Sequence, residues 1–214
     1  GQVLIGGDYQ GSNTNLSNAQ TAIVTGSITA DSSINGDGGR IIVWADGVTT
    51  FTGDLSATGS GSGSGGFAEV SGKNVLNFEG SVDLTSASGV TGSLLLDPTN
   101  ITIKNVGSHT SIAGSNTLEP SAAAGSVISL STLNTALASS NVTIQTAAGG
   151  GSELGNVTVD FGLAITGTND LTITADGDFT MLSGSINLGA GDLTITAGNT
   201  NNEGTILVFA DVTA

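Results

Sequence analysis

The 214-residue chain has no cysteine, two prolines, one histidine, one tryptophan, one tyrosine and six phenylalanines. Without cysteine there is no disulfide framework to hold a small core, so stability must come from elsewhere, such as a long regular ladder of backbone hydrogen bonds. The same absence suits a chain that crosses a membrane pore unfolded, where a premature disulfide would jam it. Charge is scarce too, at 10% of residues against a globular norm of about 25%. What there is lies mostly on one side: 18 acids face Arg40, Lys73 and Lys104, for a net charge of −15. That excludes a nucleic-acid binder, which needs a basic face, and it opposes attraction to anionic membranes. The longest apolar runs, such as Ile41 to Ala45, are far too short to cross a bilayer, so no membrane insertion is expected. No charged-then-apolar leader opens the chain.

Gly, Ser, Thr and Asn make up about half of the residues. Disorder is opposed by a hydrophobic fraction of 37% and a mean hydropathy of +0.24. The apolar residues fall in short clusters that repeat. Thr25 to Ala30 matches Thr52 to Ala57 and then Glu79 to Leu84, a repeat of about 27 residues. The same offset relates Gly38–Val43 to Gly65–Val70, and one residue less adds Gly92–Leu96. Each unit reads as strand, turn, strand and Gly-rich loop, and the loops 31–39 and 58–66 keep their length while changing content.

Farther on the rhythm shortens: Asp170–Ala175 recurs as Asp192–Ala197, a repeat of about 22 residues. Asn141–Ile144 has a cruder and still closer copy at Asn156–Val159. Alternation places Val157, Val159 and Phe161, and Leu171, Ile173 and Ala175, inward, with Thr158, Asp160, Thr172 and Thr174 outward. Ser129 to Ser140 breaks the pattern: Leu130, Leu133 and Leu137 have helical spacing, with Ser129 or Ser131 as N-cap.

The fold class expected is all-β, a right-handed parallel β-helix with one short helix near 130–139. Coils are expected over 1–120 and 141–214, with a helix-containing insertion at 121–140. A β-sandwich also alternates, but the recurrence of turns and strands at equivalent positions of each repeat favours the solenoid. At about 4.8 Å between stacked strands, the chain would make about nine coils and a rod of about 45 Å.

The motifs NGDGGRIIVWADG, GGFAEVSGK, LNFEGSVDL and GSLLLDPTNITI, between residues 35 and 103, resemble the shaft of filamentous haemagglutinin-like exoproteins of the two-partner secretion type. GQVLIGGDYQG at the start and STLNTALASSNVTIQT at 131–146 extend the resemblance, which weakens after about Asn169. It implies a right-handed parallel β-helix exported through a dedicated outer-membrane transporter to the cell surface or beyond. Members act as adhesins, haemagglutinins, haem-acquisition proteins or toxin-bearing stalks. The transporter-recognition domain of a full-length member is missing from this sequence, which therefore reads as an internal piece. The implied partners are that transporter and an unknown host or cell-surface receptor.

Candidate chemistry is sparse. His109 lies in the polar stretch Gly107–Thr110 with no second His or Cys for a zinc site, and reads as a solvated loop residue. Asp176 and Asp178 flank Gly177 and could take a hard cation, but the GGxGxDxUx calcium repeat is missing, so turn-solvating acids are expected. Asp37, Asp46, Asp176 and Asp192 all sit in turn-like settings beside Gly or Asn, where they are expected to face solvent. Trp44 and Tyr9 could stack on a sugar ring, although Trp44, in an apolar strand, reads as core or under-loop packing. Asn100 reads as a turn residue that satisfies backbone groups. No catalytic, cofactor-binding or metal residue is assigned, and no cofactor is expected. Two functions stay in view: a structural shaft of a secreted adhesin, and a carbohydrate-binding or polysaccharide-cleaving β-helix module.

Overall fold

The computed structural model describes residues 1–105, 125–149, 154–198, 203–209 and 211–213. The fold is mostly β, built of parallel sheets. One seven-stranded sheet runs β1 (Gln2–Ile5), β4 (Arg40–Ala45), β7 (Phe67–Gly72), β10 (Ser93–Leu96), β13 (Asn141–Gln145), β16 (Leu171–Ala175) and β19 (Leu193–Ala197). An eight-stranded sheet runs β2 (Thr21–Val24), β5 (Val48–Phe51), β8 (Val75–Phe78), β12 (Ser126–Ser129), β11 (Ile101–Lys104), β14 (Val157–Val159), β17 (Phe179–Met181) and β20 (Ile206–Val208). Two three-stranded sheets complete the set. They are β3 (Ser27–Thr29), β6 (Asp54–Ser56) and β9 (Ser81–Asp83), and β15 (Leu163–Ala164), β18 (Ser185–Asn187) and β21 (Asp211–Thr213).

Except around β12, strands pair three places apart, so that three successive strands fall in three different sheets. The register is the sequence repeat itself. Arg40 pairs with Phe67, Ile28 with Leu55 and Leu55 with Val82, each one long repeat further on. Leu171 pairs with Leu193, its equivalent in the shorter repeat. Inward ladders follow: Ile41, Ala68, Leu94, Val142 and Leu171 are stacked partners, all almost fully buried. Phe51 and Phe78 stack at 5.6 Å with their rings 8° from parallel. Such like neighbours bury apolar area without any disulfide.

Glycine makes the loops stackable. A Cβ on Gly65 would collide with the carbonyl oxygen of Leu84, and one on Gly53 with that of Gly26. Only a residue without a side chain lets successive loops lie this close.

Chain order is broken once, where β12 inserts between β8 and β11. After it, helix α1 (Leu130–Leu137) starts at Ser129, whose Oγ accepts from the Thr132 N–H at 2.9 Å. Leu130, Leu133, Ala136 and Leu137 are buried. The helix stands between the two three-stranded sheets: Ser139 Oγ donates to the Val82 carbonyl, and Asn134 accepts from the Thr166 N–H while donating to the Ala164 carbonyl.

Three expectations need correction. Asn141–Ile144 and Asn156–Val159 are not stacked copies; they lie in different sheets, on β13 and β14. Phe161 is not inward but 57% exposed, because β14 ends at Val159 and alternation ends with it. The expected nine coils reduce to seven strands in the first sheet among the described residues, since Ser93 meets Asn141, well beyond one repeat away. The sequence between them holds β11, β12 and α1 instead of a plain coil.

Candidate functional site

The outward face of the first sheet divides in two. On β16 and β19 it carries Thr172, Thr174, Thr194 and Thr196, as alternation requires. On β4, β7 and β10 the outward positions are Ile42, Trp44, Glu69 and Leu95, all buried, with Asp97 just past the end of β10 also buried. What covers them is the segment 6–20 between β1 and β2, which crosses the sheet as a strap.

Named contacts hold the strap. Asp8 pairs with Arg40 at 3.3 Å, and the Arg40 guanidinium lies 5.5 Å from the Tyr9 ring centre and 6.0 Å from that of Phe67. Gly7 and Gly11 lie against the Trp44 indole, where any Cβ would clash with the ring. Trp44 Nε1 and Asn18 Nδ2 both donate to Asp46 Oδ1 at 3.0 Å. Trp44 is thus packed under a loop, 4% exposed, and offers no free face for a sugar to stack on.

Gln10 sits at the centre. Its N–H is shared between both Glu69 carboxylate oxygens at 3.1 and 3.2 Å, and its Nε2 donates to Asp97 Oδ2 at 2.9 Å. Among the described residues it is the one non-glycine with positive φ, at 52°. Such strain persists only where the surroundings over-determine it. Burial pushes the Glu69 carboxyl up to about 7; the Gln10 N–H, the Ser71 hydroxyl and the Arg40 charge oppose this, and the Asp97 charge adds to it. Burial likewise raises Asp97 to about 6, against the hydrogen bond from Gln10.

Beside this pair is a cavity of about 400 Å³, walled by Asn18, Trp44, Asp46, Lys73, Asp97 and Gln145 among others. The last five come from the ends of four neighbouring strands, β4, β7, β10 and β13, or from the residue that follows each end.

The other acids have a different job. Asp31, Asp37, Asp170 and Asp178 each accept a backbone N–H from the next stacked turn, at Thr58, Ser64, Asp192 and Thr205 respectively, over 2.7–2.9 Å. Asn100 does the same for Asn156 at 2.7 Å, in line with its structural reading. These side chains staple one turn to the next. Asp176 departs from expectation: it is 7% exposed rather than solvated, and its Oδ2 accepts from the Ala148 N–H, so it and Asp178 serve separate backbone partners.

His109 lies outside the described residues. Groups of three or more metal-ligating side chains are absent among the described residues. Glu69 and Asp97 escaped the sequence reading because neither stands in a catalytic spacing. The available signal was a carboxylate in an otherwise small and apolar strand, FAEVSG, beside RIIVWA, which does not alternate. No protein-family model matches the chain, and no curated protein matches it.

Proposed function

We propose that the chain is part of the shaft of a secreted exoprotein of the filamentous haemagglutinin-like type, coiled as a right-handed parallel β-helix. In this reading it is displayed at the bacterial cell surface after export through an outer-membrane transporter. It holds a distal receptor-binding region away from the cell and performs no chemistry of its own. The observation that carries the reading is the three-place parallel pairing with side-chain staples between turns. Parallel crossovers in one sheet are right-handed in about 98% of cases, which supports the handedness. The missing cysteines and acid-dominated charge suit passage through a pore followed by life in solution.

The test is surface display. A short epitope placed in the exposed loop around Ser62, in the parent protein, should be labelled by antibody on intact cells. Labelling only after permeabilisation would overturn the proposal.

A second reading, a carbohydrate-binding or cleaving module, is favoured by the gathering of Trp44, Asp46, Lys73 and Asp97 around one cavity. Its cleaving form would need Glu69 as the partner of Asp97, and Glu69 is fully buried beneath Gln10. Incubation with neutral and acidic polysaccharides is expected to release no reducing ends; release abolished by Asp97→Asn would establish the enzyme.

A further inference from the structure

The middle of the strap is fastened to the sheet chiefly through one residue. Gln10 spends its N–H on both oxygens of Glu69 and its Nε2 on Asp97 Oδ2. It does so from a φ of 52°, which a residue with a side chain keeps only while its contacts hold it there. Gly6 and Gly11, both at positive φ, lie on either side, so the backbone turns at these two points without a Cβ in the way. The feet of the strap are tied separately, through the backbone. The Ala19 N–H donates to the Gly6 carbonyl at 2.6 Å, and the Asp46 N–H donates to the Ala19 carbonyl at 2.8 Å. Residues 7–10 can therefore lift while the feet stay in place.

Beneath them are two acids that the closed strap keeps from water, Glu69 at 0% exposure and Asp97 at 7%. From β4 the Arg40 guanidinium acts on Glu69, and it is also paired with Asp8 and set against the Tyr9 ring on the strap. Asp46, after β4, and Lys73, after β7, stand with Asp97 around the adjoining cavity, to which β13 adds the uncharged Gln145. Burial holds Glu69 up at about 7 and Asp97 at about 6; the Asp97 charge adds to the rise at Glu69, and the bonds from Gln10 oppose both. With the strap lifted, both carboxyls meet water and return toward 4.5 and 3.8. The closed strap thus binds more protons than the lifted one, and raising the pH from about 4 to about 7 favours lifting.

We infer that residues 7–10 are a proton latch: while Glu69 and Asp97 hold their protons Gln10 stays seated on both, and when they ionise this part of the strap swings off about Gly6 and Gly11, baring Ile42, Trp44 and Leu95 over coils that remain paired. An opening confined to one irregular segment is less costly than unfolding the ladders below it.

The Gln10 amide reports on the latch directly, since its N–H exchanges with solvent only after leaving Glu69. Hydrogen exchange is followed by NMR on the intact chain between about pH 5 and 7, and each rate is divided by the intrinsic rate at that pH. Protection at Gln10 should fall about tenfold or more per pH unit, so about a hundredfold or more over the interval. It should also stay about tenfold or more below that of the Val142 N–H, which donates to the Asp170 carbonyl on β13, beyond the strap. Glu69→Gln keeps the shape and removes the charge, and should leave Gln10 protection level above about pH 6, where Asp97 has finished titrating. Asp97→Asn should make the fall level off at a lower pH than in the wild type, because the charge that raises Glu69 is gone. Wild-type protection that does not change with pH overturns the latch, and so does a fall that persists unaltered in both variants. Equal protection at Gln10 and Val142 overturns it too, since the strap would then leave only when the coils unfold.

Discussion

The stretch β1–β9 and the stretch β13–β21 are built on one plan and finished differently. Both bury an inward aliphatic ladder in strict register. Upstream, the repeat is the longer one, the loops are extended and Gly-rich, and the outward face of the first sheet is roofed by the strap. Downstream, β16 and β19 follow the shorter repeat, and the outward face is a row of threonines. The consequence is visible in the strands. RIIVWA is buried on both faces and runs apolar throughout, whereas LTITA has one face in the core and alternates. Continuous apolar character in a short parallel strand therefore marks a second covering layer, while clean alternation marks a face open to water.

The largest effect that can test this plan is a charge in the kind of ladder the two stretches share. Val82→Asp should cost about 4 kcal/mol or more in urea unfolding, because an unpaired carboxylate replaces a side chain that is 4% exposed. Asp83→Ala, one position on and exposed, gives up only the bonds to the Thr85 N–H and hydroxyl, and should cost about 0.5–1 kcal/mol. Equal losses would mean the register is misassigned.

Next in size is the roof. Trp44→Ala should remove about 3 kcal/mol, since it empties the space under Gly7 and Gly11, while Thr174→Ala on the open downstream face should stay within about 0.5 kcal/mol. Comparable costs at the two sites would erase the distinction between roofed and open faces.

Comparable, for Glu69 alone, is the pH response of the roofed stretch. Glu69 rises from 4.5 to about 7 on folding and Asp97 from 3.8 to about 6. In that interval the folded chain binds more protons than the unfolded one, so stability falls as pH climbs from about 4 to about 7 and then levels. Glu69 accounts for about 3 kcal/mol of this loss. Asp8 and Asp31 act in the other direction, and only below the usual carboxylate range. The Asn13 amide leads in lowering Asp8, and at Asp31 desolvation is outweighed by the bonds from Ser56 and Thr58. Glu69→Gln should flatten the decline between about pH 5 and 7, measured as Tm against pH. A wild-type Tm that rises through this window contradicts the burial argument.

The smallest effects belong to the staples, which both stretches have. Asp37→Ala upstream and Asp170→Ala downstream should each cost about 1 kcal/mol, as one backbone N–H returns to water. A clear loss in only one of them would show that the two stretches are not stapled alike.

Much of this was legible in the chain itself. The two repeat lengths pointed to the pairing partners directly, because a stacked strand meets its own copy and like residues stack on like. The leucine spacing after Ser129 and its hydroxyl marked the helix and its cap. The place of that helix, between β9 and β15, was not legible, since helical periodicity records which side is buried and not what buries it. Nor was the false copy at Asn156 detectable, because Asn followed by alternating branched residues begins a strand in any sheet.

The sequence by itself thus determined the acid-dominated charge through composition, and the repeat, the inward ladders and the glycine loops through residues at fixed separations along the chain. Only the tertiary structure decided that residues 6–20 fold over β4, β7 and β10, putting Gln10 within reach of Glu69, 59 positions away, and of Asp97, 87 positions away. Pattern reading fixes what each residue's strand does with its neighbours one turn away. The strap's contacts depend on where an irregular segment crosses several turns at once, and no period encodes that path.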